Sequence, residues 1–313
     1  MPTHLLPPGI EVFERGWLSA NNIFHFGDAT VEEKPEAALV DSGYCAHEKL
    51  TIELVRNALN KHGLPSLTKV LNTHLHSDHC GGNVALAKAF DCDILIPVAE
   101  DQAVTHWNED LLSYQTLGQE CPRFVHHGLL IPGQEITLGR YVWQILAAPG
   151  HDHHSVILYQ AEHKILISAD ALWEEGFGVI FPELLGEPGF EEVAQTLDLI
   201  ERLPISLVIP GHGKPFTDAA TAIAVARSRL DYLASDPDRN ARHGAKVLLK
   251  YKLLEWRNKD MASVGHWIAY TPALQSAAKQ LQMGLDDFVS WLPKALVKSG
   301  AAELKDDHLI DLS

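Results

Sequence analysis

Short apolar and β-branched runs alternate with segments of helical periodicity through the first two-thirds of the chain. Ala37–Val40 reads as a strand running into the turn Asp41-Ser42-Gly43. Residues 48–61 then carry Leu50, Leu54, Val55, Ala58 and Leu59 at helical spacing, and His62-Gly63 closes that helix. The pattern predicts a strand over 69–72, a loop over 73–82, a helix through Phe90 and a strand over 93–96. From Tyr141 it becomes strand-rich, with strands predicted over 141–147, 156–159 and 164–168. A helix over 190–203, a strand over 206–209 and the turn Pro210-Gly211-His212-Gly213 follow. Such interleaving belongs to the α/β or α+β classes. Ser235-Asp236-Pro237-Asp238 breaks the pattern. The remainder is predicted mainly helical, over 241–259, 272–281 and 285–298, and Lys305-Asp306-Asp307 can turn a hairpin within 301–312. This divides the chain into a first domain, 1–235, and a small helical domain, 236–313.

Composition sharpens the picture at three points. No run approaches the roughly 18 apolar residues of a membrane span. The start, Met1-Pro2-Thr3-His4, lacks the basic and apolar blocks of a secretory signal. The cysteines, Cys45, Cys80, Cys92 and Cys121, form no CxxC pair and predict reduced thiols in a cytoplasmic protein. The 313 residues hold 25 basic and 41 acidic side chains, a net charge of −16. Residues 1–235 carry 14 and 31 of these, a net −17, whereas 236–313 carry 11 and 10, a net +1. The first part therefore disfavours nucleic acid and anionic membrane as partners. The near-neutral tail does not. Eighteen histidines, several clustered, raise metal chemistry.

The densest cluster is Thr73-His74-Leu75-His76-Ser77-Asp78-His79, where a predicted strand meets a loop. A histidine pair at i and i+2 off a strand end can aim both imidazoles at one ion, while the following Asp-His reaches a second. Imidazole and carboxylate suit zinc, and also iron or manganese. His151 in Pro149-Gly150-His151, Asp170 in Ser168-Ala169-Asp170 and His212 in Pro210-Gly211-His212 each follow or end an apolar strand-like run. Each side chain would thus emerge at a sheet edge.

This ordered set, with Asp41 before it, resembles the metallo-β-lactamase superfamily over roughly residues 10–235. The resemblance implies an α+β fold, an αββα sandwich with a two-metal site at one edge of the paired sheets. His74, His76 and His151 would hold one zinc, and Asp78, His79 and His212 the other, with Asp170 bridging. Asp41 would accept a hydrogen bond from a ligand imidazole. Aspartate at 170, where the antibiotic-degrading branch has cysteine, argues against β-lactam hydrolysis as the default. Histidine at 76, where the flavodiiron branch has glutamate, argues against redox chemistry. His154, three residues after His151, the segment 175–181 and the helical tail resemble the lactamase-like hydrolases with a C-terminal winged-helix-like domain. That group includes acyl-carrier thioesterases and a single-strand endoribonuclease.

The implied reaction is attack by a hydroxide held between two zinc ions on an ester-like carbonyl, a thioester or lactone of a small acyl substrate. Asp78 would orient that hydroxide and carry its proton, and His154 is the candidate acid for the leaving group. The aromatic segment 171–182 is expected either to wall an apolar pocket or to pack in the core. Cys80 is expected to be a small buried thiol. The alternative is a metal-dependent endoribonuclease that uses the tail to hold RNA.

Overall fold

In the central strands both faces are apolar, and this sets the layering. The computed structural model describes residues 6–28 and 35–312; the first five residues, on which the reading of the chain's start rests, lie outside them. β1 (Ile10–Phe13), β2 (Asn22–Phe26), β3 (Ala37–Val40), β4 (Lys69–Leu71), β5 (Asp93–Pro97) and β6 (Gly128–Leu130) form one sheet in that order. Its first three strands are antiparallel and β3 to β6 are parallel. β7 (Glu135–Leu138), β8 (Tyr141–Ala147), β9 (Val156–Gln160), β10 (Ile165–Ala169) and β11 (Leu207–Pro210) form the second sheet. Its order is β11-β10-β9-β8-β7, and only β10 and β11 are parallel neighbours.

Successive strand side chains point to opposite faces, so each central strand feeds two apolar layers. Ala38 and Val40 of β3 meet Val156 and Leu158 of β9 and Leu207 and Ile209 of β11 between the sheets. Ala37 and Leu39 face outward onto Val55 and Leu59 of the helix Glu48–His62. On the opposite outer face, Ile157, Leu166 and Val208 pack against the helices Phe190–Glu201 and Ala219–Ala234. The result is the αββα sandwich that the resemblance implied.

Between the sheets lies a buried polar residue. His25 of β2 is fully buried, its ring edge-on to Trp143 at 5.1 Å, and neither ring nitrogen has a hydrogen-bond partner. Burial lowers its pKa to about 3. The unfolded chain therefore takes up a proton below pH 6.5 that the folded chain refuses until about pH 3, and stability falls with pH across that window. His25→Leu is expected to remove about one proton from the pH dependence of the urea midpoint between pH 6.5 and 3. An unchanged slope would show that His25 is not the group.

The C-terminal part is built from the helices Pro237–Trp256, Met261–Tyr270, Pro272–Gln280 and Leu285–Lys298. A small antiparallel sheet, β12 (Asn258–Asp260), β14 (His308–Asp311) and β13 (Ala302–Lys305), closes it. Its hairpin turns at Asp306 and Asp307, both at positive φ, where the sequence allows it. The helix expected over 241–259 starts earlier and ends sooner. Pro237 occupies its first turn and Asp236 accepts from the Asp238 amide, while Arg257 at φ +62 stops it and residues 258–260 pair with β14. The helices Ala219–Ala234 and Met261–Tyr270 and the strands β1, β2, β6 and β7 are elements the pattern did not predict. Val179, Phe181 and Leu184 share an apolar cluster with Leu248, Leu249 and Phe288, so the helix Pro237–Trp256 is packed onto the segment that follows Asp170. No helix among the described residues is long and apolar enough to cross a membrane.

Candidate metal centre

The candidate residues all leave strands at one edge of the sandwich. β8 and β10 are each antiparallel to β9, and β11 is parallel to β10, so the three point the same way. Their ends lead into His151, Asp170 and His212. In the first sheet, parallel β3 and β4 lead into Asp41 and into Thr73-His74. The Val156 amide donates to Thr73 O at 2.8 Å and joins the two edges. A register shift between Ile167 and Ala169 at the end of β10, with Ala169 at φ +46, re-aims the chain just before Asp170. Asp41 also sits at positive φ, +59. The single helical turn Ser77–Cys80 inside the expected loop brings Asp78 and His79 back toward His74.

Two triads result. His76 Nδ1 lies 3.0 Å from His74 Nε2 and 2.8 Å from His151 Nε2. His212 Nε2 lies 3.1 Å from Asp78 Oδ2, which is 3.9 Å from His79 Nε2. Asp170 stands between them, Oδ1 3.5 Å from His79 Nε2 and Oδ2 3.4 Å from His151 Nε2 and 3.9 Å from His212 Nε2. In each of the groups His74–His76–His151, His74–His79–Asp170 and Asp78–His79–His212, the donor atoms all lie within 4.8 Å of one another, and all these residues are buried.

The far side of the rings is also held. His151 Nδ1 donates to Val179 O at 2.6 Å, leaving Nε2 as the free lone pair. His79 Nδ1 faces Asp41 Oδ2 at 2.8 Å, and Asp41 is itself fixed by the Thr73 amide and hydroxyl, each at 2.9 Å. His79 Nε2 is then left buried with no hydrogen-bond partner, facing the two aspartates. Burial holds His74 well below its ordinary pKa and His151 down to about 4, so both are neutral donors of lone pairs at neutral pH. At His79 burial also opposes the charge, but Asp41, Asp170 and Asp78 outweigh it and raise the pKa. For Asp170, burial is outweighed by His79 and His212, which hold the carboxyl well below its usual range. Converging neutral imidazoles, two ionised carboxylates and an orphaned buried nitrogen are the donor set of a divalent-cation site.

His154 is not brought into this group. The Asp152 carboxylate accepts from the His154 amide at 2.7 Å, and the ring turns to Glu100, with Nδ1 2.8 Å from Oε1. This contact raises the His154 pKa. The residue is absent from the walls of the cavity that opens on the metal centre. Sequence adjacency to His151 suggested an acid for the leaving group; in the structure the ring instead faces Glu100, outside that group of candidate metal residues. His153 pairs with Glu192 and Glu187.

That cavity, about 450 Å³, lies between the strand edge and the helix Pro237–Trp256. The aromatic segment divides between its two expected roles. Trp173, Val179 and Phe181 line the cavity, while Leu172, Phe177 and Ile180 pack into the core against the second sheet. The helix face carrying Val247, Tyr251 and Leu254 forms the opposite wall. Tyr251 Oη lies 3.2 Å from Ser77 Oγ, beside the metal turn. Trp17, which no local pattern marked, stacks on His212 with centroids 5.4 Å apart and planes at 13°. Cys80 is a buried free thiol, its Sγ 3.2 Å from Tyr114 Oη and 3.7 Å from Cys121 Sγ.

The sequence pattern that defines the metallo-beta-lactamase superfamily matches residues 30–212. The chain belongs to the metallo-beta-lactamase superfamily. A curated relative, a hydroxyacylglutathione hydrolase of Bdellovibrio bacteriovorus, is 28% identical over 143 residues, 46% of this chain and 47% of the relative. The chain thus spans about half the length of that relative. A probable metallo-hydrolase of Bacillus subtilis is 30% identical over 173 residues, 53% of this chain and 77% of the relative. Among solved structures, a beta-lactamase domain protein from Burkholderia ambifaria superposes with a TM-score of 0.60 at 19% identity. That likeness covers 98% of this chain and 93% of the other, so the shared fold runs through the C-terminal helices as well as the sandwich.

Proposed function

We propose that the chain is a metal-dependent hydrolase that cleaves thioesters at a two-zinc centre. His74, His76 and His151 would hold one ion and Asp78, His79 and His212 the other. The observation that carries the two-ion reading is Asp170, a buried carboxylate with one oxygen toward His79 and the other toward His151 and His212. The thioester reading is supported by the hydroxyacylglutathione hydrolases among the relatives and by the aromatic and aliphatic walls of the cavity. When bound, the two ions supply a water of lowered pKa and polarise the carbonyl oxygen.

The chain's own residues do the rest. Asp78, ionised and on the cavity wall, orients the attacking water and accepts its proton. Trp17 and Trp173 cover His212 on two sides and keep bulk water from it. Tyr251 lines the cavity beside Ser77, where His154 does not. Burial, reinforced by Asp78, holds its pKa well above the ordinary value, so the phenol stays protonated and donates to the developing oxyanion or the leaving sulfur. Tyr251→Phe is expected to lower kcat about 10²-fold with unchanged metal content and little change in KM. An unchanged kcat removes this role. Asp41→Asn leaves the shape but not the charge behind His79, and is expected to weaken metal retention against a chelator by about 10–100-fold. Equal retention would show that the Asp41–His79 contact does not tune the site.

The reading is tested by turnover of acyl thioesters, lactones, β-lactams and phosphodiesters on metal-quantified protein. Thioesters are expected to give the highest kcat/KM. Cleavage confined to phosphodiesters would overturn the thioester reading in favour of the nuclease.

A further inference from the structure

The cavity has a cationic wall that the proposed chemistry leaves unused. Arg229, from the helix Ala219–Ala234, and His243 and Lys246, from the helix Pro237–Trp256, line it together with the metal centre. Arg229 Nη2 donates to His243 Nε2 at 2.8 Å, so that imidazole is a neutral acceptor. Burial first, then Arg229 and Lys246, hold its pKa down to about 4. The guanidinium lies over the Phe177 ring, 5.2 Å from its centroid. It also rests on Gly176, where a Cβ would come within 2.8 Å of Nη1. The fork is therefore positioned in advance, by a ring below, a glycine beside it and an acceptor at one edge.

What it lacks is a counter-charge. Of the cations close by in sequence, Arg227 pairs with Asp198 and Glu201, Lys250 with Asp311 and Lys252 with Glu255, while the exposed Arg242 lies over the Trp291 ring. Among the described residues, neither Arg229 nor Lys246 has a carboxylate within ion-pair distance. Residues 1–235 carry 31 acidic against 14 basic side chains, so this is not a shortage of carboxylates. A half-buried guanidinium without a counter-ion is costly, and an anionic ligand relieves that cost.

We propose that Arg229 and Lys246, with His243 as positioning residue, form a subsite for a carboxylate of the substrate, set apart from the bond that is cleaved. The helix Pro237–Trp256 gives the spacing. Tyr251 marks the metal end, and Lys246 and His243 precede it by five and eight residues, roughly 7–12 Å along the axis. That span is about two to three extended peptide-like units. The substrate class is then a thioester bearing a carboxylate two or three such units from its carbonyl, and not one whose charge lies at the end of a much longer arm. The planar carboxylate matches the guanidinium fork, and Lys246 adds a point charge. This inference rests on the thioester reading for the bond that breaks, but not for the anion.

The test compares S-acetylglutathione with its diethyl ester, which has the same thioester and no carboxylates. The wild-type protein is expected to favour the free acid about 10–100-fold in kcat/KM, through KM. In Arg229→Gln/Lys246→Gln that ratio falls to near one. Because Arg229 also packs on Phe177, the half-buried Lys246→Gln is made alone, and it is expected to lower the ratio about tenfold. In parallel, calorimetry measures the Kd of uncleavable S-methylglutathione and of its diethyl ester, with the same preference expected and the same loss in the variants. A wild-type ratio near one in both assays overturns the subsite, as does a ratio that survives in the double variant. Selective binding of S-methylglutathione with no thioester cleaved keeps the subsite and removes the thioester reading.

Discussion

Asp170→Asn is expected to lower kcat/KM for the best thioester by on the order of 10³-fold or more and to cut bound metal from two ions per chain to one or none. The substitution keeps the size of the side chain, so the packing around it changes little. What it removes is the charge that sits between the triads, within 3.4–3.9 Å of nitrogens from His151, His79 and His212. A metal clamp contributes several kcal/mol to a developing negative charge, and each 1.36 kcal/mol is a factor of ten in rate. Asp78 cannot substitute, because its carboxylate is already engaged with His212 at 3.1 Å. Trp173 Nε1 lies 3.3 Å from Asp170 Oδ1, so the asparagine has a neutral partner to keep it in place. Elemental analysis beside steady-state kinetics checks both halves. Two ions retained with full turnover would show that Asp170 is not between them.

Gly211→Ala is expected to act nearly as strongly from a residue with no side chain. A Cβ there would come within 2.2 Å of Asp170 Oδ1, and within 3.0 Å of the Ala169 carbonyl carbon and of His79 Cε1. Neither backbone nor a held ring can yield that space cheaply, so the carboxylate must leave its position. The expected result is a loss of about 10²-fold in kcat/KM, the scale of misplacing a group by about an ångström. Gly213→Ala is the control. It meets nothing within 4 Å, but its φ of +84 is unfavourable for alanine, so it costs about 1 kcal/mol of stability. If both substitutions lower Tm alike and leave turnover equal, the close approach at Gly211 has no part in the site.

The candidate metal residues were legible because each obeys a local rule. His74, His151, Asp170 and His212 lie within four residues of the end of an apolar strand, and a strand that ends at a sheet edge delivers the polar side chains that follow it there. The His-x-His-x-Asp-His spacing needs only one strand end and one helical turn. The helix face of Val247, Tyr251 and Leu254 was equally visible, but not what it faces, since that depends on how the last helices dock on the segment after Asp170. Trp17 and Arg229 reach the cavity from distant parts of the chain, and no periodicity marks them. His154 is close to a candidate metal residue in sequence, yet its amide donates to Asp152 and its ring faces Glu100, which sequence spacing does not reveal. The helix expected to reach residue 259 ends three residues earlier, at Trp256, because Arg257 takes positive φ with no glycine or proline to announce it.

Metal content and turnover measured on the same sample decide whether two ions carry the hydrolysis. The protein is quantified by elemental analysis, stripped with a chelator, and reloaded with zinc in steps while thioester hydrolysis is followed. Activity is expected to vanish on stripping and to return to a plateau at two zinc ions per chain, with Asp170→Asn never reaching it. Hydrolysis that persists in the stripped protein, or a plateau at one ion, would contradict the two-ion reading.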